Sequence, residues 1–207
     1  EFGSPVSPNA QWLSSIATAA GASHILVQRV DGGESRPLTL GPGQPVSQTW
    51  SPDGNQIACI LMLDGAPILQ IYPAFFGGVA VQSVALDKDL LPQTVQLLRW
   101  IKRDIYFRAD VRGGGQSVRR ITLDSPAAAV GVSDAWKIDG PLRRAHIRPD
   151  GRAPVIAVNK NGQEDLWTVN LDGTSLRPLT ADAAFDKDPL WVGDGDRVAC
   201  QSNPGGQ

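Results

Sequence analysis

Residues 25–59 lie over residues 166–200 without a gap at an offset of 141, and eleven of the paired positions are identical. Asp31-Gly32 falls on Asp172-Gly173, Arg36-Pro37-Leu38-Thr39 on Arg177-Pro178-Leu179-Thr180, Trp50 on Trp191, Asp53-Gly54 on Asp194-Gly195, and Ala58-Cys59 on Ala199-Cys200. Self-similarity at a fixed offset marks a repeat architecture, in which one unit cannot bury its apolar faces alone and neighbours must cover them. An offset of 141 residues is too long for one such unit, so intermediate copies are expected between the two.

Weaker copies are there. Leu98-Arg99-Trp100 followed by Asp104-Ile105-Tyr106-Phe107 keeps the tryptophan and the strand after it, with a shortened turn. Ala145 to Gly151 restores a Pro-Asp-Gly turn but places Ile147 where tryptophan stood, and Val6-Ser7-Pro8-Asn9-Ala10 before Trp12 is a fainter start. The anchors fall near residues 6, 50, 100, 147 and 191.

Within a unit the pattern is of short strands and turns. Gln48-Thr49-Trp50 ends an inner strand, Ser51-Pro52-Asp53-Gly54 is a tight turn, and Gln56 to Leu61 is a second strand. Asp64-Gly65 turns into Ile68 to Tyr72, and Gly77-Gly78 leads to a fourth strand over Ala80 to Leu86. The order recurs through Pro154 to Val158, Asp165 to Leu171 and Ser175 to Thr180. The 22 glycines and 16 prolines fit many turns and leave little room for long helices. Four strands per roughly 45 residues is the signature of a β-propeller blade, so the chain is expected to be all-β, with about four to five repeats.

Trp50-Ser51-Pro52-Asp53-Gly54-Asn55-Gln56-Ile57-Ala58, together with Leu166 to Gly173 and Arg177 to Thr180, resembles the repeat of the TolB-type propellers, a WD-like repeat of the Trp-Ser-Pro-Asp-Gly type. Residues 87–135 follow it loosely. Propellers of this type usually close with six blades, and this chain begins inside one repeat and stops inside another. A smaller ring, a segment of a longer propeller and blades completed by a second chain all fit, and the segment is the favoured reading. Residues 1–4 read like the translation of a cloning site, leaving 5–207 as a single propeller domain or propeller fragment. Open blade edges would invite self-association through strand pairing.

The formal net charge of -2 and 19% charged residues argue against a nucleic-acid binder or a disordered chain. No stretch approaches the roughly 18 apolar residues of a membrane span, so no direct membrane insertion is expected. Cys59, Cys200, His24 and His146 have no metal-ligand spacing, and neither cysteine pattern supports a disulfide. Both cysteines sit in apolar runs and read as small apolar residues inside strands. His24 is placed just before a strand and His146 in an inner strand, both structural.

No Gly-x-Ser-x-Gly elbow occurs, and Gly115-Gln116-Ser117 lacks its second glycine. Asp186-Lys187-Asp188 and Asp194-Gly195-Asp196 invite a calcium reading, but a repeat turn already accounts for the second pair. Gly113-Gly114-Gly115 has no Lys-Ser/Thr after it and reads as a hairpin tip rather than a phosphate loop. The basic run Arg99, Lys102, Arg103, Arg108, Arg112, Arg119 and Arg120 reads as a solvated strand face. Trp50, Trp100 and Trp191 are assigned to packing between blades, whereas Trp12, Trp136 and Trp167 are less constrained. Trp136 suits either an exposed contact or the core of an irregular blade.

These features predict no catalytic, cofactor-binding or metal-binding residues and no cofactor. In a propeller, the blade-to-blade loops and the hairpins between second and third strands share one face. Here those are residues 40–47, 63–66, 110–116, 159–163 and 181–188, carrying Arg112, Lys160, Gln163, Phe185, Asp186 and Lys187 as candidates for binding a protein or peptide. The expectation is a non-catalytic interaction or sensing module, and the TolB resemblance implies a periplasmic or otherwise extracytoplasmic place. The alternative is a ligand-binding or enzymatic propeller that takes a saccharide or small molecule in its channel.

Overall fold

The computed structural model describes residues 5–19, 21–33, 35–38, 42–75, 79–123, 131–137, 141–148, 150–193 and 197–203. Among these residues the regular structure is seventeen strands and one 3-10 turn, Pro92–Thr94. They form five antiparallel sheets in chain order. The first holds β1 (Trp12–Ala19), β2 (Ala22–Arg29) and β3 (Arg36–Leu38). The second holds β4 (Gln44–Trp50), β5 (Gln56–Leu63), β6 (Ala66–Pro73) and β7 (Gln82–Ala85). The third holds β8 (Gln96–Ile101), β9 (Asp104–Asp110), β10 (Gln116–Thr122) and β11 (Gly131–Lys137). The fourth holds β12 (Leu142–His146), β13 (Val155–Lys160), β14 (Gln163–Thr168) and β15 (Arg177–Pro178), and the fifth β16 (Phe185–Val192) and β17 (Arg197–Asn203). Each strand pairs with its neighbour in sequence, as the repeat requires. Residues 87–135, loose in sequence, supply a complete four-stranded sheet. His24 lies inside β2, opposite Ala17, rather than before it.

Two compact units divide the chain: Glu1–Arg112 with Arg119–Ser133, and Gly113–Val118 with Asp134–Gln207. In the first unit the second sheet is apolar on both faces. Ile57, Cys59 and Leu61 of β5 join Ile25, Val27, Leu38, Trp50 and Tyr72 in one core. Ala58 and Ile60, pointing the other way, join Leu69, Val84, Leu97, Trp100, Ile105 and Phe107 in another. A strand buried on both faces loses the alternation of a half-exposed one, which is why Ile57 to Leu61 reads as an unbroken apolar run. In the second unit, buried Val155, Ile156, Ala157 and Val158 form the central strand, with Leu142, Ile147, Leu166 and Val169 around it.

The turn at the repeat anchor is built alike in two sheets. Ser51 Oγ donates to Asp53 Oδ1 at 2.6 Å and accepts the Gln56 N–H at 2.9 Å, while the Asn55 N–H donates to Asp53 Oδ1 at 3.1 Å. Forty-four residues earlier in the sequence, Ser7, Asn9, Gln11 and Trp12 make the same three bonds, in the same order, at 2.7, 2.9 and 3.1 Å. Gly54 turns at φ 73° and Ala10 at φ 56°, the left-handed region that glycine enters without strain. The faint start near residue 6 is therefore a full copy of the turn.

The first strands of the second to fifth sheets share a feature with no sequence mark. Register shifts fall between Pro45 and Ser47, Leu97 and Arg99, Leu142 and Arg144, and Lys187 and Leu190, each a few residues before the anchor position. Such bulges sharpen the local twist of a strand.

Candidate functional site

The fourth and fifth sheets place five of the six candidate residues in the second unit. Lys160 ends β13 and Gln163 begins β14, facing each other across the Asn161-Gly162 turn. Asn161 turns at φ 54° and Gly162 at φ 88°, which fixes this two-residue hairpin. The Lys160 ammonium stands 4.1 Å from the ring centre of Trp167, a cation held over an aromatic face. Gln163 reaches the next connection: its Nε2 donates to the carbonyl of Asp182 at 3.4 Å and to that of Ala184. Asp182 Oδ1 in turn accepts the Ala184 N–H at 2.8 Å. These bonds pin the segment that delivers Phe185 and Lys187.

Residues 185–188 are not loop, as the sequence suggested, but the start of β16. Phe185 pairs with Asn203, Asp186 with Ser202 and Lys187 with Gln201. The charged run Asp186-Lys187-Asp188 hid the strand, because acidic and basic residues are uncommon in strand interiors. Alternation then separates their roles. Lys187 is exposed, Phe185 is half-buried and Asp186 is buried at 3% exposure. Asp186 thus supports the patch from beneath and presents no carboxylate to a partner. Its charge acts on Cys200 of β17: burial first, and then the Asp186 carboxylate, raise that thiol above its ordinary range. Asp188 is held by Arg144 at 2.7 Å, so its carboxylate already has a cation. The pair Asp194 and Asp196 lies outside the described residues. Among the described residues, no three His, Cys, Asp or Glu side chains stand together as a metal would need.

Arg112, the sixth candidate, belongs to the first unit. It is exposed just beyond β9, and its Nε donates to the Lys88 carbonyl at 3.1 Å. Beside it, Gly113, Gly114 and Gly115 turn at φ 93°, 104° and 93° into β10, a hairpin tip.

The basic run is only in part the solvated face that its composition suggested. Arg119 is 8% exposed and binds Asp87 at 2.6 Å and Asp89 at 2.6 Å, which holds the Asp89 carboxyl below its ordinary range. Arg108 donates to Gln96 Oε1 at 2.6 Å and Arg103 to the Leu123 carbonyl at 3.0 Å. Burial lowers the Arg99 pKa. Arg119 is the buried, ion-paired member of the run, whereas Lys102, Arg103 and Arg112 are exposed.

Three aromatic and imidazole groups resolve as packing. Trp136 is 2% exposed and donates to the Leu171 carbonyl at 2.9 Å, beneath the Asp172-Gly173 turn. Trp191 is half-buried under Arg148, 5.4 Å from its ring centre. His146 accepts the Trp191 N–H on Nδ1 at 3.2 Å, so this ring joins β12 to β16. Among the described residues, no helix is long and apolar enough to cross a membrane.

No family model matches the chain. A Tol-Pal system protein TolB of Anaeromyxobacter dehalogenans is 24% identical over 179 residues, 86% of this chain and 29% of that protein. Dipeptidyl-peptidase 5 of Porphyromonas gingivalis is 36% identical over 66 residues, 29% of this chain and 10% of the enzyme. The chain thus spans under a third of the length of the curated relatives it matches. A solved structure assigned as TolB from Agrobacterium tumefaciens superimposes with a TM-score of 0.73 over 98% of this chain and 69% of the other, at 19% identity.

Proposed function

We propose, from the TolB-like β-propeller fold that these likenesses show, that the chain is a non-catalytic interaction module whose second unit docks a protein partner. The observation that carries this reading is the Gln163 bridge to the Asp182 and Ala184 carbonyls. It holds Lys160, Phe185 and Lys187 on pinned backbone, so a partner would meet a preorganised mixture of two cations and an aromatic anchor. Contacts made by rigid groups cost less ordering on binding, and aromatic anchors ringed by polar groups dominate protein interfaces. The TolB likeness supports an extracytoplasmic place. Arg112 is a separate candidate contact of the first unit.

The test passes a bacterial envelope extract over the immobilised protein, beside a Phe185→Ala/Lys187→Ala variant and an Arg112→Ala variant, and identifies retained proteins by mass spectrometry. A protein kept by the parent and lost by the folded double variant, then reproduced with the purified partner by calorimetry, supports the reading. Loss with Arg112→Ala assigns that residue to the contact. If parent and double variant retain the same proteins, the second-unit face is wrong. Screening saccharides by thermal shift then becomes the next step.

A further inference from the structure

We infer that the first unit carries a second binding site, a pocket that takes the C-terminal apolar residue of a peptide with its free carboxylate on Arg36. The cavity holds about 320 Å³ and is lined by residues of β1, β2, β3 and the turn after β6. Val27 and Leu38, 4% and 2% exposed, make its floor. Trp12 and Phe75 make a wall, their ring centres 4.9 Å apart and their planes tilted by 56°. Pro37 and Arg36 complete the lining.

Two observations mark this as a site rather than a packing fault. Phe75 is 39% exposed although its ring also stands 6.1 Å from that of Trp50, so a large aromatic surface faces the cavity unfilled. The two nearby arginines also differ. Arg29 stands 5.8 Å from the Trp12 ring centre, but both Asp31 oxygens occupy its guanidinium at 2.9 and 2.7 Å. Arg36 is exposed, and no ion pair or hydrogen bond joins its guanidinium to another described residue. An apolar hollow with an exposed planar cation in its lining is complementary to an apolar body bearing a carboxylate.

The same lining selects among such ligands. Among the described residues it offers no carboxylate or side-chain amide, so the hydroxyls of a neutral sugar would be desolvated without partners there. A volume near the lower end of ligand pockets, roughly 300 to 1,000 Å³, suits one large side chain and its carboxylate. β3 is the outer strand of the first sheet, but it is three residues long and its centre is Pro37, which has no N–H to donate. A ligand cannot add there as a long strand. It enters end-on, its terminal residue in the hollow and the preceding chain leaving past exposed Arg36.

The test is calorimetry of the whole chain with Ala-Ala-Phe bearing a free carboxylate, with the same tripeptide amidated at its C-terminus, and with 3-phenylpropionate. The free acid should saturate one site, and amidation should weaken binding about ten-fold, the change of 1.4 kcal/mol expected of a lost charged contact. Arg36→Ala should lose the same factor for the acid and nothing for the amide, with an unchanged unfolding midpoint. Phe75→Leu, which keeps the fold if Phe75→Ala does not, should weaken both peptides. Equal binding of acid and amide, no saturable heat from either, or parent-like binding by Arg36→Ala would each overturn the site. Binding of 3-phenylpropionate as tight as that of the tripeptide would overturn the peptide as its occupant.

Discussion

Trp50 Nε1 donates to the main-chain carbonyl of Pro5 at 3.0 Å, across 45 residues of sequence. The indole therefore does two things at the repeat anchor. It fills the core shared with Ile25, Val27 and Leu38, and it satisfies a backbone acceptor ahead of the first sheet.

Replacing Trp50, which is 3% exposed, by alanine should cost about 3 to 5 kcal/mol in urea unfolding. Trp50→Phe keeps most of the apolar contact and removes one donor from the Pro5 carbonyl, which still accepts the Ser14 N–H at 2.7 Å, and should cost about 1 kcal/mol. A loss below about 1 kcal/mol for the alanine variant would remove the anchor role.

Asp53 makes stability depend on acid. The Ser51 hydroxyl and then the Asn55 N–H hold its carboxyl below the ordinary range. Its stabilising effect is complete above the unfolded value near 3.9 and is lost as pH falls through the lower folded value. Asn9 occupies the corresponding place in the first turn with no charge, so Asp53→Asn should fold with the same geometry. The stability gap between parent and variant, followed by denaturant unfolding, should be widest at neutral pH and close as pH falls through the lowered folded value. A gap that does not change with pH would show that the charge contributes nothing.

Gly173 and Gly162 separate backbone strain from crowding. Both turn at positive φ, 83° and 88°. A Cβ at Gly162 would meet open space, whereas one at Gly173 would lie 2.8 Å from the Ala135 carbonyl oxygen and 3.4 Å from Trp136 Cα. Gly162→Ala should cost about 1 kcal/mol, and Gly173→Ala about 3 kcal/mol or more. Thermal unfolding of the two variants side by side checks the order, and equal losses would contradict the close packing of this turn on Trp136.

The two thiols should differ in reactivity. Cys59 has no exposed surface and burial pushes its thiol far up, while Cys200 is exposed. A chromogenic disulfide reagent should titrate one thiol in the native protein and the second only in denaturant. Asp186→Asn should speed the Cys200 reaction near pH 8 by removing the carboxylate that raises it. Prompt reaction of both thiols in the native state would contradict the burial of Cys59.

Turns and apolar runs were the most legible part of the fold. Asp64-Gly65 and Asn161-Gly162 carry the φ values their residue types favour, and the strands flanking these two turns lie where the apolar runs placed them. Alignment with Trp191 carried register as well: Trp50 faces Ile57 and Trp191 faces Val198, seven residues on in both sheets. What stayed hidden depends on partners rather than on local propensity. The bulges before each anchor use Val46, Leu98 and Arg143, which share no chemistry. Arg119 looks like any surface arginine until the chain brings Asp87 and Asp89 to it. Of the candidate site, Lys160 and Gln163 could be read from their hairpin. The burial of Asp186 followed only from the pairing of β16 with β17.

The sequential pairing of strands sets how the chain can find its structure. The first two hairpins of the second sheet close over five and two residues, so β4 to β6 can assemble with little loop entropy lost. The contacts that lock one sheet against the next reach much further, as where Ser47 Oγ accepts the Leu97 N–H at 2.9 Å across 50 residues. Folding should accordingly divide into fast formation of separate meanders and slower docking of their faces. Substitutions in the faces, such as at Leu97 or Ile60, should then change the folding rate more than substitutions in the turns.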